Sequence, residues 1–327
     1  MNTYHIIDHE GFGTIHRLLI PLCDKYKDHK LYTTGTEYAP LTDAAIECIR
    51  KESDSFLIIH STGKLKTKLL MHFRDLFPDH PAALFLHTSY KYQELKGRGD
   101  MIYDLLHLTN QYRMNVLVPS KETAEQYAAF GIPVRAVQLG IPDVAANTDY
   151  FEYKPELEAY YNKIITTCAS DQPIYQFVKG IDRFETIIAD LHLEKDALIA
   201  GIDRESERGI LTKRFSTDDF LNVLCHANAY VQLSRYETYN LTAVQAKQLM
   251  VPTLVLGVEG AKSCMGDYAY SSEAELITDL RRVLDGHIDS QRQIYCRFDS
   301  RWRESLTGFY SALTIACMAC KGQGSNH

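Results

Sequence analysis

The sequence predicts an α/β protein made of two doubly wound parallel sheets, and three observations carry that expectation. Runs such as Phe56-Leu57-Ile58-Ile59-His60 and Ala197-Leu198-Ile199-Ala200 are apolar throughout, which suits strands covered on both faces rather than on one. Stretches of helical period separate such runs in both halves of the chain, as parallel crossovers require. A turn-rich interruption between Gly140 and Tyr161 splits the alternation into two series. The length of 327 residues agrees, at roughly 150 residues per domain.

In chain order, Tyr4-His5-Ile6-Ile7 opens the first series, and Gly11-Phe12-Gly13 leads into an apolar-periodic helix from Ile15 to Tyr26. Strands at 56–60, 83–87, 114–118 and 134–139 follow, with a helix over 64–77 between the first two. Ser120 caps a helix that runs to Phe130, and Gly131 and Pro133 stop it. After the interruption, strands are expected at 163–167, 197–201, 229–233 and 252–256, with helices around 181–191, 217–226, 241–250 and 272–286. The tail from Asp299 to about Cys317 reads as a long helix. These elements give an N-terminal Rossmann-like domain over 1–150, a C-terminal one over 151–298, and a terminal helix over 299–327 that crosses back to the first. Doubly wound sheets bind ligands beyond the carboxyl ends of their strands, so a cleft between facing domains is the expected site.

Composition narrows the function. Hydrophobic residues at 45% and charged residues at 24% describe an ordinary globular chain rather than a disordered or fibrous one. A net charge of −7 disfavours a nucleic-acid coat, although a local basic groove would survive that argument. No apolar run reaches the ~18 residues of a membrane span, and the first residues lack the pattern of a secretory signal. Membrane contact is therefore peripheral at most, and a cytoplasmic location is expected. The eight cysteines are scattered, several inside apolar runs, as reduced core residues are. Cys317 and Cys320 form one CxxC, but no second pair completes a zinc set, and no metal site is expected. Lys64, Lys66 and Lys68 read as a solvated helix face, with an anionic acceptor or membrane surface as the alternative.

The most informative stretch is Val231 to Val255: a strand, a loop bearing Glu237, a helix starting near Leu241-Thr242, a turn, and another strand. A helix start offers free N–H groups and the positive end of its dipole to a phosphate. An acid just ahead of it accepts hydrogen bonds from neighbouring hydroxyls. A sugar linked to a diphosphate matches both halves of that arrangement.

On these residues the chain resembles the retaining GT-B glycosyltransferases of the family 4 group, whose signature is Pro-Ser-x-x-Glu-x-Phe-Gly-Leu followed by Glu-Ala-Met-Ala-x-Gly-x-Pro-Val. Ser234, Glu237, Leu241, Ala246 and Pro252 stand at signature positions, while Tyr239 and Asn240 replace Phe-Gly. The resemblance implies that Glu237 contacts donor-sugar hydroxyls, with Tyr236, Tyr239, Asn240, Leu241 and Thr242 around the donor. Gln245 stands where the family's second acid holds the nucleotide ribose, and it bonds without charge. Phe177-Val178-Lys179-Gly180-Ile181-Asp182 resembles the element whose lysine pairs with the donor diphosphate. The arginine the family places some six residues earlier is absent, leaving Arg183 or Arg235 as substitutes.

Gly201 matches a turn near the base, and Gly11, Phe12 and Gly13 resemble a loop that lets backbone approach the donor phosphate. His87 ends a strand where the family places a histidine by the reacting sugar, and it is favoured over His60, which also ends a strand. Segments 116–143 and Arg297-Phe298-Asp299-Ser300-Arg301-Trp302 resemble further family elements.

The expected activity is transfer of a hexose from a UDP- or GDP-linked donor to an acceptor hydroxyl, with retention and without metal or resident cofactor. His87, Glu237 and Lys179 would be its catalytic residues. The acceptor would be a glycan, a lipid-linked glycan or a small molecule bound by the first domain. Two alternatives have other chemistry: an epimerase or phosphorylase of the same fold, and a non-catalytic scaffolding subunit, which the neutral Gln245 favours. Each site residue also has a plainer role. Glu237 could simply suit a helix dipole, a gain of ~0.3–1 kcal/mol, and either histidine could be a packed core residue.

Overall fold

The computed structural model describes residues 1–7, 13–33, 43–52, 54–61, 67–287 and 305–324. The chain divides into two compact units, one of Met1–Pro142 with Leu306–His327 and one of Asp143–Ser305. The division falls at Pro142–Asp143, ahead of the 150–151 expected from sequence.

In the N-terminal unit, six strands make one sheet: β1 (Thr3–Ile7), β2 (His29–Thr33), β3 (Phe56–Ser61), β4 (Ala82–Leu86), β5 (Asn115–Val118) and β6 (Val134–Ala136). Their order is β2-β1-β3-β4-β5-β6, and every neighbouring pair is parallel. β1, β3 and β4 are buried along their whole length, which is why no alternation marks them in the sequence. Helices α1 (Gly13–Lys25), α2 (Asp43–Lys51), α3 (Thr67–Leu76), α4 (Tyr90–Leu95), α5 (Met101–Gln111) and α6 (Lys121–Ala128) connect them. Ser120 caps α6 by accepting the Thr123 N–H at 3.2 Å, as its position ahead of the helix predicts. Leu57, Ile59, Leu84, Val116, Phe73 and Leu105 form the centre of this core, all at or near zero exposure.

The sequence reading passed over β2, α2, α4 and α5. β2 reads His-Lys-Leu-Tyr-Thr and has only one aliphatic residue, so hydropathy hides it. As an edge strand paired only to β1, it needs less apolar surface than the central strands. The terminal helix, Leu306–Gly324, belongs to this unit: Tyr310 stacks on Tyr26 at 3.9 Å and its hydroxyl donates to Asp28 at 3.1 Å. Cys317 and Cys320 are buried on that helix, and burial pushes the Cys320 thiol up to about 11, as expected of inert core cysteines.

The C-terminal unit has five parallel strands: β7 (Ile164–Thr167), β8 (Ala197–Ala200), β9 (Leu211–Lys213), β10 (Ala229–Gln232) and β11 (Thr253–Val255). Their order is β11-β10-β7-β8-β9. Helices α7 (Pro173–Lys179), α8 (Ile181–Asp190), α9 (Thr217–Cys225), α10 (Leu241–Gln248), α11 (Gly260–Met265) and α12 (Glu273–Leu284) join them. The short β9, α7 and α11 escaped the sequence reading because three to seven residues cannot display a period. The strand order reverses direction between β7 and β10, the switch point beside which doubly wound sheets bind ligands. No described helix is long and apolar enough to cross a membrane.

Candidate functional site

At the switch point beside β7 and β10, two segments 58 positions apart meet. After β7, Pro173 starts α7 at a position where its missing N–H costs nothing, and Gly180 ends the helix at φ 68°. Gly180 must be glycine for a second reason: a Cβ there would lie 2.0 Å from the Leu233 carbonyl oxygen. That close approach, with the Arg235 N–H donating to the Val178 carbonyl at 2.8 Å, lays the end of α7 against the chain leaving β10.

Lys179 and Glu237 meet as a result. Lys179 Nζ donates to Glu237 Oε2 at 2.6 Å, and the Ser234 hydroxyl lies 3.4 Å from the same oxygen. The carboxylate is 6% exposed and the lysine side chain 30%, so one charge is buried while the other reaches solvent. Beneath them, the buried Gln232 amide donates to the Lys179 carbonyl at 2.8 Å and to Ser234 Oγ at 2.9 Å. The Gln232 oxygen accepts from Tyr230 at 2.8 Å and Thr167 at 3.3 Å. Burial raises the Tyr230 phenol above its ordinary range, so it remains a donor. The floor is a satisfied polar network that fixes the backbone of both segments.

The third segment is the start of α10. Asn240 Oδ1 caps it by accepting the Ala243 N–H at 2.9 Å, while Asn240 Nδ2 is buried with no hydrogen-bond partner among the described residues. An unpaired buried amide beside free helix N–H groups is a donor set for an anion. Leu241 and Thr242 are half-buried in the first turn, and Tyr239 is buried just before it. Gln245 is half-buried one turn further along, and no hydrogen bond links its side chain to Glu237 or Lys179. Tyr236 is half-buried in the loop.

Two residues that the sequence reading missed complete the loop. Glu259 adopts φ 39°, ψ −126°, a strained conformation for a side chain, and its carboxylate accepts the Glu237 N–H at 3.1 Å. The Gly260 N–H donates to the Glu237 carbonyl at 2.7 Å, and a Cβ on Gly260 would lie 1.7 Å from the Thr238 carbonyl oxygen. Both peptide groups of Glu237 are thus held by Glu259-Gly260. The glycine-flanked run Gly257-Val258-Glu259-Gly260 beyond β11 was the available signal.

Neither substitute arginine is free. Arg235 makes a bidentate pair with Asp182, both contacts at 2.6 Å, and its guanidinium lies 4.2 Å from the Phe177 ring centre. The Arg235 hydrogen bonds hold the Asp182 carboxyl below its usual range. Arg183 pairs with Glu273 at 3.1 Å. Both arginines are thus engaged in ion pairs, with Arg235 clamping the start of α8 to the β10 loop. Gly201, at φ 101° beyond β8, packs where a Cβ would meet the Cys168 carbonyl oxygen at 2.4 Å.

His87 lies in the N-terminal unit, just past β4. It is half-buried, its ring stacks on Phe85 at 4.5 Å, and its Nε2 lies 2.8 Å from His60 Nδ1. Burial pulls its pKa down to about 3, so it is a neutral imidazole at pH 7. The two histidines weighed against each other in the sequence are thus bonded partners. Gly13 begins α1. Gly11, Phe12, Lys64, Lys66 and the motif at 297–302 lie outside the described residues.

No protein-family model matches the chain, and no curated protein matches it in sequence. Solved structures do match. Anabaena HepE, crystallised in complex with UDP and glucose, has a TM-score of 0.68 at 12% identity, covering 98% of this chain and 100% of that one. An α,α-trehalose 6-phosphate synthase from Burkholderia multivorans has a TM-score of 0.68 at 9% identity, covering 99% and 98%. A UDP-forming α,α-trehalose-phosphate synthase from Burkholderia xenovorans has 0.68 at 11% identity, with 100% of both chains covered. The chain is similar to these proteins over its whole length in fold, and that fold is GT-B, with two Rossmann-like α/β domains.

Proposed function

We propose that the chain is a glycosyltransferase that moves a hexose from a nucleoside-diphosphate sugar to an acceptor hydroxyl with retention of configuration. The observation that carries the reading is the 2.6 Å contact of Lys179 with Glu237, beside the start of α10 and the unpaired amide of Asn240. A cation, a carboxylate and a set of N–H donors at one switch point suit a pyrophosphoryl sugar better than either half alone. Donor binding would exchange the ion pair for ligand contacts. Lys179 turns to the diphosphate, and Glu237, its peptide groups held by Glu259 and Gly260, accepts from sugar hydroxyls. Gln245 and Gly201 are assigned to the nucleoside, and Gly11, Phe12 and Gly13 to the phosphate side.

Transfer on one face lets the leaving diphosphate accept the proton of the incoming hydroxyl, so no protein nucleophile is demanded. Lys179 stabilises that departing charge and does the work a metal would otherwise do. The acceptor is assigned to the N-terminal domain, with neutral His87 as the residue that orients the reacting hydroxyl. UDP and glucose in the HepE complex make UDP-glucose the first donor to assay. The soluble protein chemistry is taken to be cytoplasmic.

The test is incubation with UDP-, GDP- and ADP-sugars, reading thermal stabilisation and nucleotide release. Stabilisation and release by one donor class supports the assignment; no stabilisation by any of them removes the donor site. A second reading, a nucleotide-sugar-binding subunit without catalysis, draws on the engagement of Arg183 and Arg235 in ion pairs and on the neutral Gln245. Stabilisation without release across a panel of acceptors would favour it.

A further inference from the structure

The N-terminal sheet contains a second polar system, of which the proposed transfer uses only the last residue, His87. His29 on β2, His5 on β1, His60 on β3 and His87 past β4 lie on four adjacent strands, and their rings form one hydrogen-bonded row. His29 Nδ1 lies 2.8 Å from His5 Nε2, His5 Nδ1 lies 2.9 Å from His60 Nε2, and His60 Nδ1 lies 2.8 Å from His87 Nε2.

The register explains the row. His5 pairs across the sheet with Leu31 and Ile58, and His60 pairs with Phe85. Each histidine therefore stands two positions further along than its predecessor's partner. A two-residue step keeps all four side chains on one face and moves the row diagonally from the amino edge of β2 to the carboxyl edge of β4. The rings form a line rather than converging, and among the described residues no three such side chains could hold a metal.

His5, His29 and His60 are buried, at 0%, 3% and 3% exposure. Burial lowers all four pKa values, to about 4 for His29 and about 3 for His87. Among the described residues, the charged or titratable groups that face the row from outside are Asp28, the N-terminal amine and the Tyr310 phenol, whose ring lies 5.3 Å from that of His29, all at the His29 end. The row is therefore neutral at pH 7. A neutral imidazole has one N–H and one lone pair, and both inner rings use both nitrogens within the row. Only two arrangements satisfy every link: all protons on Nδ1, or all on Nε2. A mixed row would set N–H against N–H, or lone pair against lone pair, in a buried interior.

We propose that His5, His29 and His60 are positioning residues that lock the tautomer of His87. They thereby decide whether its remaining nitrogen, Nδ1, donates a hydrogen bond or accepts a proton. In the all-Nε2 arrangement, a proton taken at His87 Nδ1 displaces Nε2–H to His60 Nδ1, then on through His5 to His29 Nδ1, and the His29 Nε2 proton leaves to solvent at the Asp28 end of the row. The row ends in the all-Nδ1 arrangement with no net charge gained. The tautomer claim stands on the geometry and burial of the row, while its consequence for catalysis rests on the transfer reading above.

The test is long-range proton–nitrogen correlation NMR of the uniformly nitrogen-15-labelled full chain at pH 7.5. One tautomer shared by all four rings is expected; two different tautomers within the row would overturn the proposal. In His60→Gln, the His87 ring should become a mixture of tautomers, and the same is expected in His5→Phe. A His87 ring that stays locked in either folded variant would also overturn it, and the wild-type spectrum decides the matter should neither variant fold. Where sugar transfer is measurable, His60→Gln should lower kcat roughly ten- to a hundredfold with donor KM unchanged. A uniform row in a protein that transfers no sugar retains the relay and removes the transfer reading. Mixed tautomers in an active enzyme do the reverse.

Discussion

The two sheets share parallel topology and differ in where they keep polar groups. The C-terminal sheet places charge at its rim: Lys179 and Glu237 meet in the loops beyond β7 and β10, with one of the two reaching solvent. The N-terminal sheet buries three imidazoles and half-buries a fourth against its face, and desolvation neutralises them. At the rim each charge has a partner and one of them has water; in the buried row desolvation favours the neutral imidazole. An ion pair at a rim can be opened by a ligand, whereas a neutral buried row can only rearrange its protons.

The sharpest way to break the contrast is at the rim. Glu237→Ala should reduce transfer by about three orders of magnitude, on the scale of losing one preorganised transition-state contact. The fold should survive, because Lys179 is left able to hydrate. Nucleotide release and melting temperature, measured together, check both halves; full activity in the variant would defeat the assignment.

Next in size is Gly180→Ala. The left-handed backbone and the 2.0 Å approach to Leu233 both oppose a Cβ. A stability loss of roughly 3 kcal/mol is expected, from strain plus displacement of packed backbone. Urea titration reads it, and donor stabilisation should fall with it, since the same corner holds Lys179.

The buried row gives a pH dependence. Folded-state pKa values lie below the unfolded value near 6.5, so the unfolded chain binds more protons and stability is full above that value. It falls as pH drops from about 6.5 toward the range of 3–4. Each histidine contributes at most about 1.4 kcal/mol per pH unit. Urea midpoints at pH 7.5 and 5 should differ in the wild type and differ less in folded His60→Gln; equal differences would detach the effect from the row.

The smallest effect belongs to Arg235→Ala, which removes a half-exposed pair with Asp182. A cost of about 1 kcal/mol is expected, with donor stabilisation nearly retained. Loss of nucleotide binding with stability intact would return Arg235 to the phosphate site.

Much of this was legible along the chain. Ser120 announced its helix, the apolar runs announced the central strands, and the Ser234–Leu241 stretch announced a loop before a helix start. These features are local, since capping, periodicity and glycine conformation act over a few residues. β2 stayed hidden because an edge strand needs little apolar surface, and Glu259 because its flanking glycines mark a turn without marking which backbone the carboxylate returns to.

The sequence by itself determined the central strands and several of the helices, and that a lysine after β7 and a glutamate after β10 would stand beyond the carboxyl ends of strands. Only tertiary structure decided that Arg235 turns to Asp182, that Lys179 lies within 2.6 Å of Glu237, and that four separated histidines fall into line. The reason is physical: pairing depends on strand order and register, which long-range packing sets, and a shift of one residue would send every second side chain to the opposite face.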